Sequence, residues 1–399
     1  MNLAIPDALK PFAGRMIDVD SHDAVPAQRW ESDYGPIAGK LAERFFQQPP
    51  NNPAGSNFPD FKGDKTPINA DTVWNVKGSY APGAVDIARR VDVMDLTGVS
   101  RQLMFPSGVT IMGAILQNSG DNDGNLPGFE DRREYGLGLI EAGNRWSMGV
   151  AALSDRIRPV AALCGSSVAE LMANAHHLLD GGIRAVWMMG GVPPGGKSPA
   201  HADLDPFWRL MSERQITVTL HIGGESGFLA TYEWGQAPAF EGFKVGAEFS
   251  LSPWNLSIQH LAAQNFIATM VTGGVFERHP DLRFGAIELG AHWIGPLAAS
   301  LDMWHENNQT FGVNGEQRLA RKPSEYISRN VRVSPFHFER VDEYIDRYGL
   351  TGVYCYASDY PHVEGGRDPM VKFARRLERF GPEVMEKFFV ANGQHLVPA

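Results

Sequence analysis

The chain has 399 residues, 43% of them hydrophobic, so it can bury a large core. Its 46 acidic and 36 basic residues give a formal net charge of −10, which disfavours binding to nucleic acid or to an anionic membrane surface. Its two cysteines, Cys164 and Cys355, indicate buried thiols rather than a disulfide framework or a thiolate zinc site. Apolar runs stay well short of the ~20 residues of a membrane span, and the amino terminus lacks a signal-peptide pattern. These features predict a cytoplasmic enzyme that acts on a small molecule.

The first predicted strand ends in two potential metal ligands. An apolar run over residues 16–20 stops at Asp20, and His22 follows two positions later. Side chains two apart on a strand point the same way, so Asp20 and His22 can bind one ion together. Taken alone, the pair also fits the start of a surface turn. Partners elsewhere in the chain decide between these interpretations.

Short β-rich runs alternate with helical patterns along the chain, which predicts a parallel sheet covered by helices. Eight runs have strand character, namely 16–20, 101–105, 158–162, 183–188, 216–221, 283–287, 330–334 and 352–356. Helical patterns cover residues 84–96, 133–154, 167–179, 206–214, 257–278, 295–305 and 339–348. Eight strand–helix units predict an α/β protein with one (β/α)8 TIM barrel domain over residues 1–399. Such barrels carry their chemistry on the loops after the strands.

Two segments do not fit the repeating unit. Residues 31–80 are polar and rich in helix breakers, and residues 111–131 contain a run of Asn, Asp and Gly. They follow the first and second strands, so we interpret both as loop insertions over the barrel mouth. They would form either a functional lid or solvent-exposed loops without a role in function.

Two other strand ends supply further candidate ligands. His221 closes the fifth run ahead of two glycines, and Asp359 follows the eighth run. A buried core histidine and a turn cap are the structural alternatives. Together with Asp20 and His22, however, they form a mixed oxygen and nitrogen set suited to Zn²⁺, Mn²⁺ or Fe²⁺. We predict one divalent metal ion, zinc in the first place with manganese or iron as alternatives, bound by these four residues.

Several motifs resemble, in matching order, the amidohydrolase-related branch of the amidohydrolase superfamily. This branch includes aminocarboxymuconate semialdehyde decarboxylase and the resorcylate-type decarboxylases. The motifs include Arg90-Val-Asp-Val-Met-Asp-Leu-Thr-Gly-Val99, Leu220-His-Ile-Gly223 and Ser358-Asp-Tyr-Pro-His362. The resemblance implies a distorted barrel with one catalytic metal held at the same four positions and Asp359 as proton carrier. Relatives commonly form dimers or larger assemblies, so a homo-oligomer is expected.

The chain departs from this family pattern at two places. Asp20 stands where many members have histidine, which favours a harder metal. Leu289 occupies the place of a strand-six histidine that polarises the substrate, and Glu288 precedes it. Glu288 is a general acid or base, a group that orients a ligand, or a structural residue. His292, in the next helix, is a further catalytic candidate whose alternative is an ordinary cap-region histidine.

Four other residues near strand ends are candidates for contact with the substrate. Phe105 and Trp187 would form an aromatic wall for a planar compound, although large apolar residues at such places also simply pack. His337 follows the seventh run and would face the pocket. His362 would contact the substrate or have a structural role in stabilising its own turn.

The leading prediction is a metal-dependent hydrolase that acts on a small aromatic or carboxylated substrate through metal-activated water. The alternative is a non-oxidative, metal-dependent decarboxylase of an aromatic or muconate-type acid. The missing strand-six histidine favours the hydrolase, because that residue belongs to the decarboxylase pattern. A third hypothesis is a catalytically inactive metal-binding barrel, and the retention of all four proposed ligands argues against it.

Overall fold

Within the part of the chain that the structure describes, seven parallel strands form one continuous sheet in chain order. They are β1 (Met16–Asp18), β2 (Val99–Met104), β3 (Ile157–Ala162), β4 (Ala185–Trp187), β5 (Thr217–His221), β6 (Arg283–Ile287) and β7 (Val331–Val333). The computed structural model describes residues 3–46, 58, 60–118, 131–225, 228, 232–241, 252–307 and 319–399. Strand β5 is buried along its whole length, as expected when both faces of a parallel sheet are covered. Because the strands are parallel, their carboxyl ends meet on one side.

The eighth predicted strand is reduced to a bridge that closes the barrel. Tyr354 pairs with Val333 of β7 as an isolated bridge, and the Val19 N–H donates to the Tyr356 carbonyl at 3.1 Å. The N–H of Tyr356 donates to the Phe388 carbonyl at 3.0 Å rather than to a strand, which interrupts the ladder. The prediction of eight regular strands is therefore wrong at this position. The predicted distorted (β/α)8 barrel is confirmed.

Helices follow most strands and pack against the sheet. In the ranges given above the α-helices are α1 (Trp30–Tyr34), α2 (Pro36–Phe45), α3 (Thr72–Asn75), α4 (Arg90–Thr97), α5 (Val109–Asn118), α6 (Arg132–Ala151), α7 (Val168–Asp180), α8 (Asp205–Glu213), α9 (Pro253–Ile258), α10 (Leu261–Thr272), α11 (Val275–Arg278), α12 (Ile294–Glu306), α13 (Pro323–Asn330), α14 (Val341–Tyr348), α15 (Pro369–Leu377), α16 (Pro382–Glu386) and α17 (Asn392–Leu396). None of these helices has the length and apolar character needed to cross a lipid bilayer. Trp208 of α8, Phe276 of α11 and Phe284 of β6 are fully buried in the main core. Burial of each such side chain stabilises the fold by roughly 1.5–3 kcal/mol.

The helix predicted over residues 257–278 is divided into α9, α10 and α11. Gly273 and Gly274 separate α10 from α11, and Gly274 has a φ of 72°. This left-handed conformation costs a residue with a side chain about 1–2 kcal/mol, whereas glycine adopts it freely. The adjacent glycines therefore end α10, although the apolar periodicity continues through them.

The insertion predicted over residues 31–80 contains helices as well as loops. Helices α1 and α2 pack on α6 in an apolar cluster that includes Trp30, Tyr34 and Leu41. Residues 47–57 and 59 lie outside the described residues. The first part of the insertion therefore packs as helices, because its apolar residues cover a neighbouring helix.

The second predicted insertion, residues 111–131, begins as the continuation of α5. This helix runs to Asn118, and residues 119–130 lie outside the described residues. Helix α5 packs very closely on α6, since a Cβ atom at Gly113 would lie only 2.8 Å from the Gly136 carbonyl oxygen. The small residues therefore permit a helix pair where the sequence analysis predicts a loop.

Helix α17 packs across the barrel end at which β5 begins. The Oγ1 hydroxyl of Thr217 donates to the Leu396 carbonyl at 2.5 Å, and Gly393 lies against Ile17 of β1. A Cβ atom at Gly393 would approach the Ile17 Cβ to 2.6 Å. The last helix thus fills the end of the barrel opposite to the strand ends.

A half-buried histidine in α17 makes stability dependent on pH. Nε2 of His395 lies 3.2 Å from the Asn330 carbonyl oxygen. Burial, followed by the charge of Arg332, lowers the pKa of His395 to about 3. The neutral ring therefore contributes stability that is complete above its unfolded pKa of ~6.5 and is lost as the pH falls toward 3, by at most about 1.4 kcal/mol per pH unit.

We expect the free energy of unfolding of the wild type to fall more steeply than that of His395→Gln between about pH 6.5 and 4.5. Urea titrations at several pH values measure both slopes. Parallel slopes for the two proteins would contradict this assignment.

Candidate metal centre

Five ionisable side chains converge at the carboxyl end of the barrel. Asp20 and His22 follow β1, His221 ends β5, Glu288 follows β6, and Asp359 follows the eighth run. All five are buried, with at most 7% of their surface exposed. They meet because parallel strands end on one side of the barrel, even though they are far apart in sequence.

Four of these side chains point donor atoms at one another. The donor atoms of Asp20, His22, His221 and Glu288 all lie within 4.8 Å of each other. Nε2 of His22 lies 3.2 Å from Oδ1 of Asp20 and 3.6 Å from Oε2 of Glu288. Nε2 of His221 lies 3.6 Å and 3.1 Å from the same two oxygens. We call these four residues the donor cluster.

Several atoms of the donor cluster have no hydrogen bond of suitable geometry within the described residues. They are Oδ1 of Asp20, Nε2 of His221 and both carboxylate oxygens of Glu288. A buried polar atom without a partner costs about 1–3 kcal/mol. One divalent cation would satisfy these atoms together, and two imidazoles with two carboxylates are ligands that zinc, manganese and iron accept. The residues therefore fit a single metal ion.

Neighbouring groups orient the two imidazole rings. Nδ1 of His221 lies 3.0 Å from the Ile222 carbonyl oxygen, so in the neutral ring Nδ1 carries the proton and Nε2 offers its lone pair. Nδ1 of His22 lies 3.4 Å from the Ser107 hydroxyl. Both rings therefore present Nε2 to the centre of the donor cluster.

The charges in the donor cluster depend on one another. Burial alone would raise the pKa of Asp20, but the adjacent His22 and His221 lower it to about 2. Burial would lower the pKa of His221, yet Asp20 and Glu288 raise it well above its usual value. Burial and the charge of Asp359 raise the pKa of Glu288 to about 8. The cluster thus retains protons near neutral pH, and a metal ion that binds there displaces them.

Two of the converging carboxylates stand on strained backbone. Glu288 has a φ of 56° and Asp359 a φ of 52°. The left-handed conformation costs residues with a side chain about 1–2 kcal/mol. Such strain is concentrated at functional sites, where the surrounding structure maintains it. At both positions the chain turns directly after a barrel strand.

Asp359 lies at the edge of the donor cluster. Its Oδ1 is 3.6 Å from Nε2 of His22 and 3.1 Å from Nδ1 of His362. Nε2 of His362 is 3.4 Å from the Ser107 hydroxyl, and its ring centroid is 4.1 Å from that of His22. Asp359 thus contacts one imidazole of the cluster and one outside it, which suits a carboxylate that transfers protons.

Asp18 and Ser358, which the sequence analysis does not identify, connect the ends of β1 and the eighth run. Oδ1 of Asp18 accepts hydrogen bonds from the N–H groups of Ser358 at 2.9 Å and Asp20 at 3.2 Å. Its Oδ2 accepts from the Ser358 hydroxyl at 2.5 Å, and the Asp359 N–H donates to the Asp20 carbonyl at 2.9 Å. We call these bonds the Asp18–Ser358 clasp. The only sequence signal for it is that Asp18 lies two residues before Asp20.

Arg90 is a further residue that the sequence analysis does not place at the site. It is fully buried at the start of α4, where Nη2 donates to the His22 carbonyl at 2.7 Å and Nε donates to the Gly83 carbonyl at 2.8 Å. Its guanidinium lies over the Tyr360 ring, 4.8 Å from the centroid. Arg90 therefore anchors the backbone that carries His22.

The two predicted aromatic residues pack around His221. The Phe105 ring stacks on it with centroids 4.1 Å apart, and the Trp187 ring meets it edge-on at 6.2 Å. Phe105 and Trp187 are each 1% exposed. Their contacts hold the imidazole in place, and contact with a substrate stays a prediction.

The contacts of His337 and His292 lie outside the donor cluster. Nδ1 of His337 lies 3.1 Å from Nζ of Lys372. The contacts of His292 in the described residues are with His260, at 4.6 Å between ring centroids, and with Glu339, at 3.7 Å. The side chain of His292 is 48% exposed. These contacts do not include the donor cluster, so the structure does not bring His292 together with the other candidates.

The place of the usual strand-six histidine is occupied by an apolar side chain. Leu289 is 2% exposed and belongs to the main core. The only polar side chain at this strand end that joins the donor cluster, among the residues described, is therefore that of Glu288.

A distorted (β/α)8 barrel with buried histidines and carboxylates at its strand ends is the architecture of amidohydrolase-superfamily enzymes. The family model described as amidohydrolase matches residues 138–398. The chain belongs to this family, and the resemblance identified from its motifs is confirmed.

Solved structures share this fold over nearly the whole chain. An amidohydrolase from Mycobacterium avium subsp. paratuberculosis K-10 is 20% identical with a TM-score of 0.68, covering 96% of this chain and 99% of its own. The 5-carboxyvanillate decarboxylase from Sphingomonas paucimobilis is 15% identical with a TM-score of 0.57, covering 96% and 98%. The 5-carboxyvanillate decarboxylase from Novosphingobium aromaticivorans DSM 12444, complexed with manganese and a nitrobenzoic acid, is 16% identical with a TM-score of 0.56, covering 96% of both chains. No curated protein matches the sequence.

Proposed function

We propose that this protein is a metal-dependent hydrolase of a small aromatic or carboxylated compound. The donor cluster of Asp20, His22, His221 and Glu288 is the observation that carries the proposal. We propose Glu288 as the fourth ligand, in place of Asp359, which the sequence analysis predicts for that position. Asp359 is then free to carry protons beside the metal.

Manganese and zinc are the ions that we propose for this site. A divalent ion bound there would polarise a substrate oxygen and increase the acidity of water. Two carboxylates among the four donors favour a hard ion such as manganese, while the two imidazoles are equally suited to zinc. The manganese complex of the Novosphingobium decarboxylase supports the first choice.

The residues around the donor cluster would position the substrate and transfer protons. Asp359 accepts a proton from the attacking water and returns it to the leaving group, while His362 holds the Asp359 carboxylate through its Nδ1. Phe105 packs on His221 and keeps water from that side of the imidazole. Leu289 has no proton to donate, so polarisation of a substrate carbonyl does not come from this side chain.

Non-oxidative decarboxylation is the second candidate. The two 5-carboxyvanillate decarboxylases that share the fold favour it, as does the carboxylate-rich donor cluster. In this reaction the bond between a ring carbon and a carboxylate breaks, carbon dioxide leaves, and Asp359 gives its proton to the ring carbon. The same carboxylate therefore serves both candidate reactions.

Product analysis separates these candidates. The purified protein is stripped with a chelator, reloaded with manganese or zinc, and assayed against esters and amides of small aromatic acids and against hydroxybenzoates. Release of an acid with an alcohol or amine supports the hydrolase, and release of carbon dioxide supports the decarboxylase. Full activity in the stripped protein would contradict both, and metal binding without any turnover would favour an inactive barrel.

A further inference from the structure

Lys77 is held next to the candidate metal centre by the insertion that follows β1. The N–H of the adjacent Gly78 donates to the Pro361 carbonyl at 2.9 Å, within the turn that carries Asp359. Ser79 is buried, and its hydroxyl donates to the Ala24 carbonyl at 2.6 Å. The backbone on the carboxyl side of Lys77 is thus tied both to the end of the eighth run and to the segment after β1.

The ammonium group of Lys77 is partly removed from water. Within the described residues it makes no hydrogen bond and no ion pair, and the side chain is half-buried. Burial lowers the pKa of Lys77 to about 8, while the charges of Asp359 and Glu364 raise it and that of Arg367 lowers it. Lys77 therefore lies in the electrostatic field of Asp359 without being paired to it.

Lys77 is a positively charged residue beside the site that is available to bind an anionic ligand. A divalent cation bound at the donor cluster would balance Asp20 and Glu288, whereas Asp359 adds a carboxylate that repels an anionic substrate unless a second positive group compensates. Arg90, the buried cation below the site, is committed to the carbonyls of His22 and Gly83.

Two other basic residues lie near Lys77: Arg367 is exposed to solvent, and Lys372 has a partner of its own. Lys372 is paired with Asp368 at 2.8 Å and lies beside His337. Burial, followed by the charge of Lys372 and to a smaller extent that of Lys77, lowers the pKa of His337.

We propose that Lys77 binds an anionic group of the substrate, a carboxylate, that lies away from the reacting group at the donor cluster. The proposal rests on the proposed function, because the donor cluster defines where the substrate reacts. It identifies the substrate as a compound with two polar ends, one at the metal centre and one carboxylate at Lys77. A charge-assisted hydrogen bond from a partly desolvated ammonium would make this contact specific.

The test compares two probes on the manganese-loaded protein by isothermal titration calorimetry. Isophthalate carries two carboxylates on one ring, and benzoate carries one. We expect Lys77→Met to weaken the binding of isophthalate about 10- to 100-fold, the effect of losing a hydrogen bond to a charged group, and to change the binding of benzoate much less. Lys77→Arg is expected to recover most of the affinity, because it keeps the charge.

The matched control is Lys10→Met, which removes an exposed lysine that is ion-paired with Asp7 at 2.7 Å. It should bind both probes like the wild type. Equal loss of affinity for isophthalate and benzoate in Lys77→Met, no loss of affinity for isophthalate, or no binding of isophthalate by the wild type at millimolar concentration would overturn the proposal. Manganese content is measured on each protein, so a failure of the metal centre is recognised separately from a failure of the Lys77 contact.

Discussion

Glu288→Gln is expected to lose the metal rather than only the activity. Glutamine has the same shape as glutamate, but its neutral oxygen is a much weaker ligand than a carboxylate. Both carboxylate oxygens of Glu288 are buried, and Oε2 faces the His22 and His221 nitrogens at 3.6 Å and 3.1 Å. Loss of groups that merely support a ligand already costs about 10- to 100-fold in metal affinity, so we expect a decrease of about 100-fold or more for Glu288 itself.

Calorimetric titration of the stripped protein with manganese, together with metal analysis after dialysis, measures this decrease. Glu225→Gln is the matched control, because Glu225 is a half-buried glutamate close to His221 but outside the donor cluster. It should keep its metal. Full metal content in Glu288→Gln with greatly reduced turnover would instead make Glu288 a general acid or base, one of the roles that the sequence analysis leaves open.

Asp359→Asn is expected to keep the metal and to lose turnover. Asparagine preserves the size of the side chain but does not accept and return a proton. General acid–base catalysis contributes about 10²- to 10⁴-fold to the rate, so kcat should fall by this factor while KM changes little. The carboxylate stands 3.6 Å from the nearest cluster imidazole, beside the four donor atoms.

Steady-state kinetics on metal-loaded protein, with the metal content determined on the same sample, test this role. Metal-free Asp359→Asn would show that Asp359 is a ligand, as the sequence analysis predicts. Unchanged kcat with full metal content would remove Asp359 from the mechanism altogether.

The positions of the candidate ligands followed from the sequence because they depend on regular structure. Asp20, His22, His221 and Asp359 each come directly after an apolar run, and in a parallel barrel the ends of all such runs meet. Strand alternation places Asp20 and His22 on one face, and the common end of the strands brings His221 and Asp359 to them. The structure brings all four to the same end of the barrel.

The contribution of Glu288 to the donor cluster could not be predicted in the same way. Glu288 precedes the position of the usual histidine by one residue, and strand alternation alone would turn neighbouring side chains to opposite faces. The left-handed backbone at Glu288, with its φ of 56°, ends that alternation at this residue. A conformation of this kind in a residue other than glycine has no reliable sequence signal.

Long-range hydrogen bonds could not be predicted from the sequence either. Tyr356 gives its N–H to the Phe388 carbonyl, which makes the eighth strand irregular, and Gly78, the residue after Lys77, gives its N–H to the Pro361 carbonyl. Apolar periodicity describes which face of an element is buried, but not which backbone group of a distant loop receives a hydrogen bond. The pairing of Asp18 with Ser358 belongs to the same class of features.

The Asp18–Ser358 clasp links the closure of the barrel to the position of Asp20 in the donor cluster. It joins residues 340 positions apart, and it holds the backbone of Asp20 against that of the segment bearing Asp359. A chain in which β1 to β6 have formed but the last segment has not docked would contain His22, His221 and Glu288 without the bonds that fix Asp20. An ion bound at the donor cluster would therefore stabilise the docking of the last segment against β1. In turn, docking of that segment would increase the affinity for the ion.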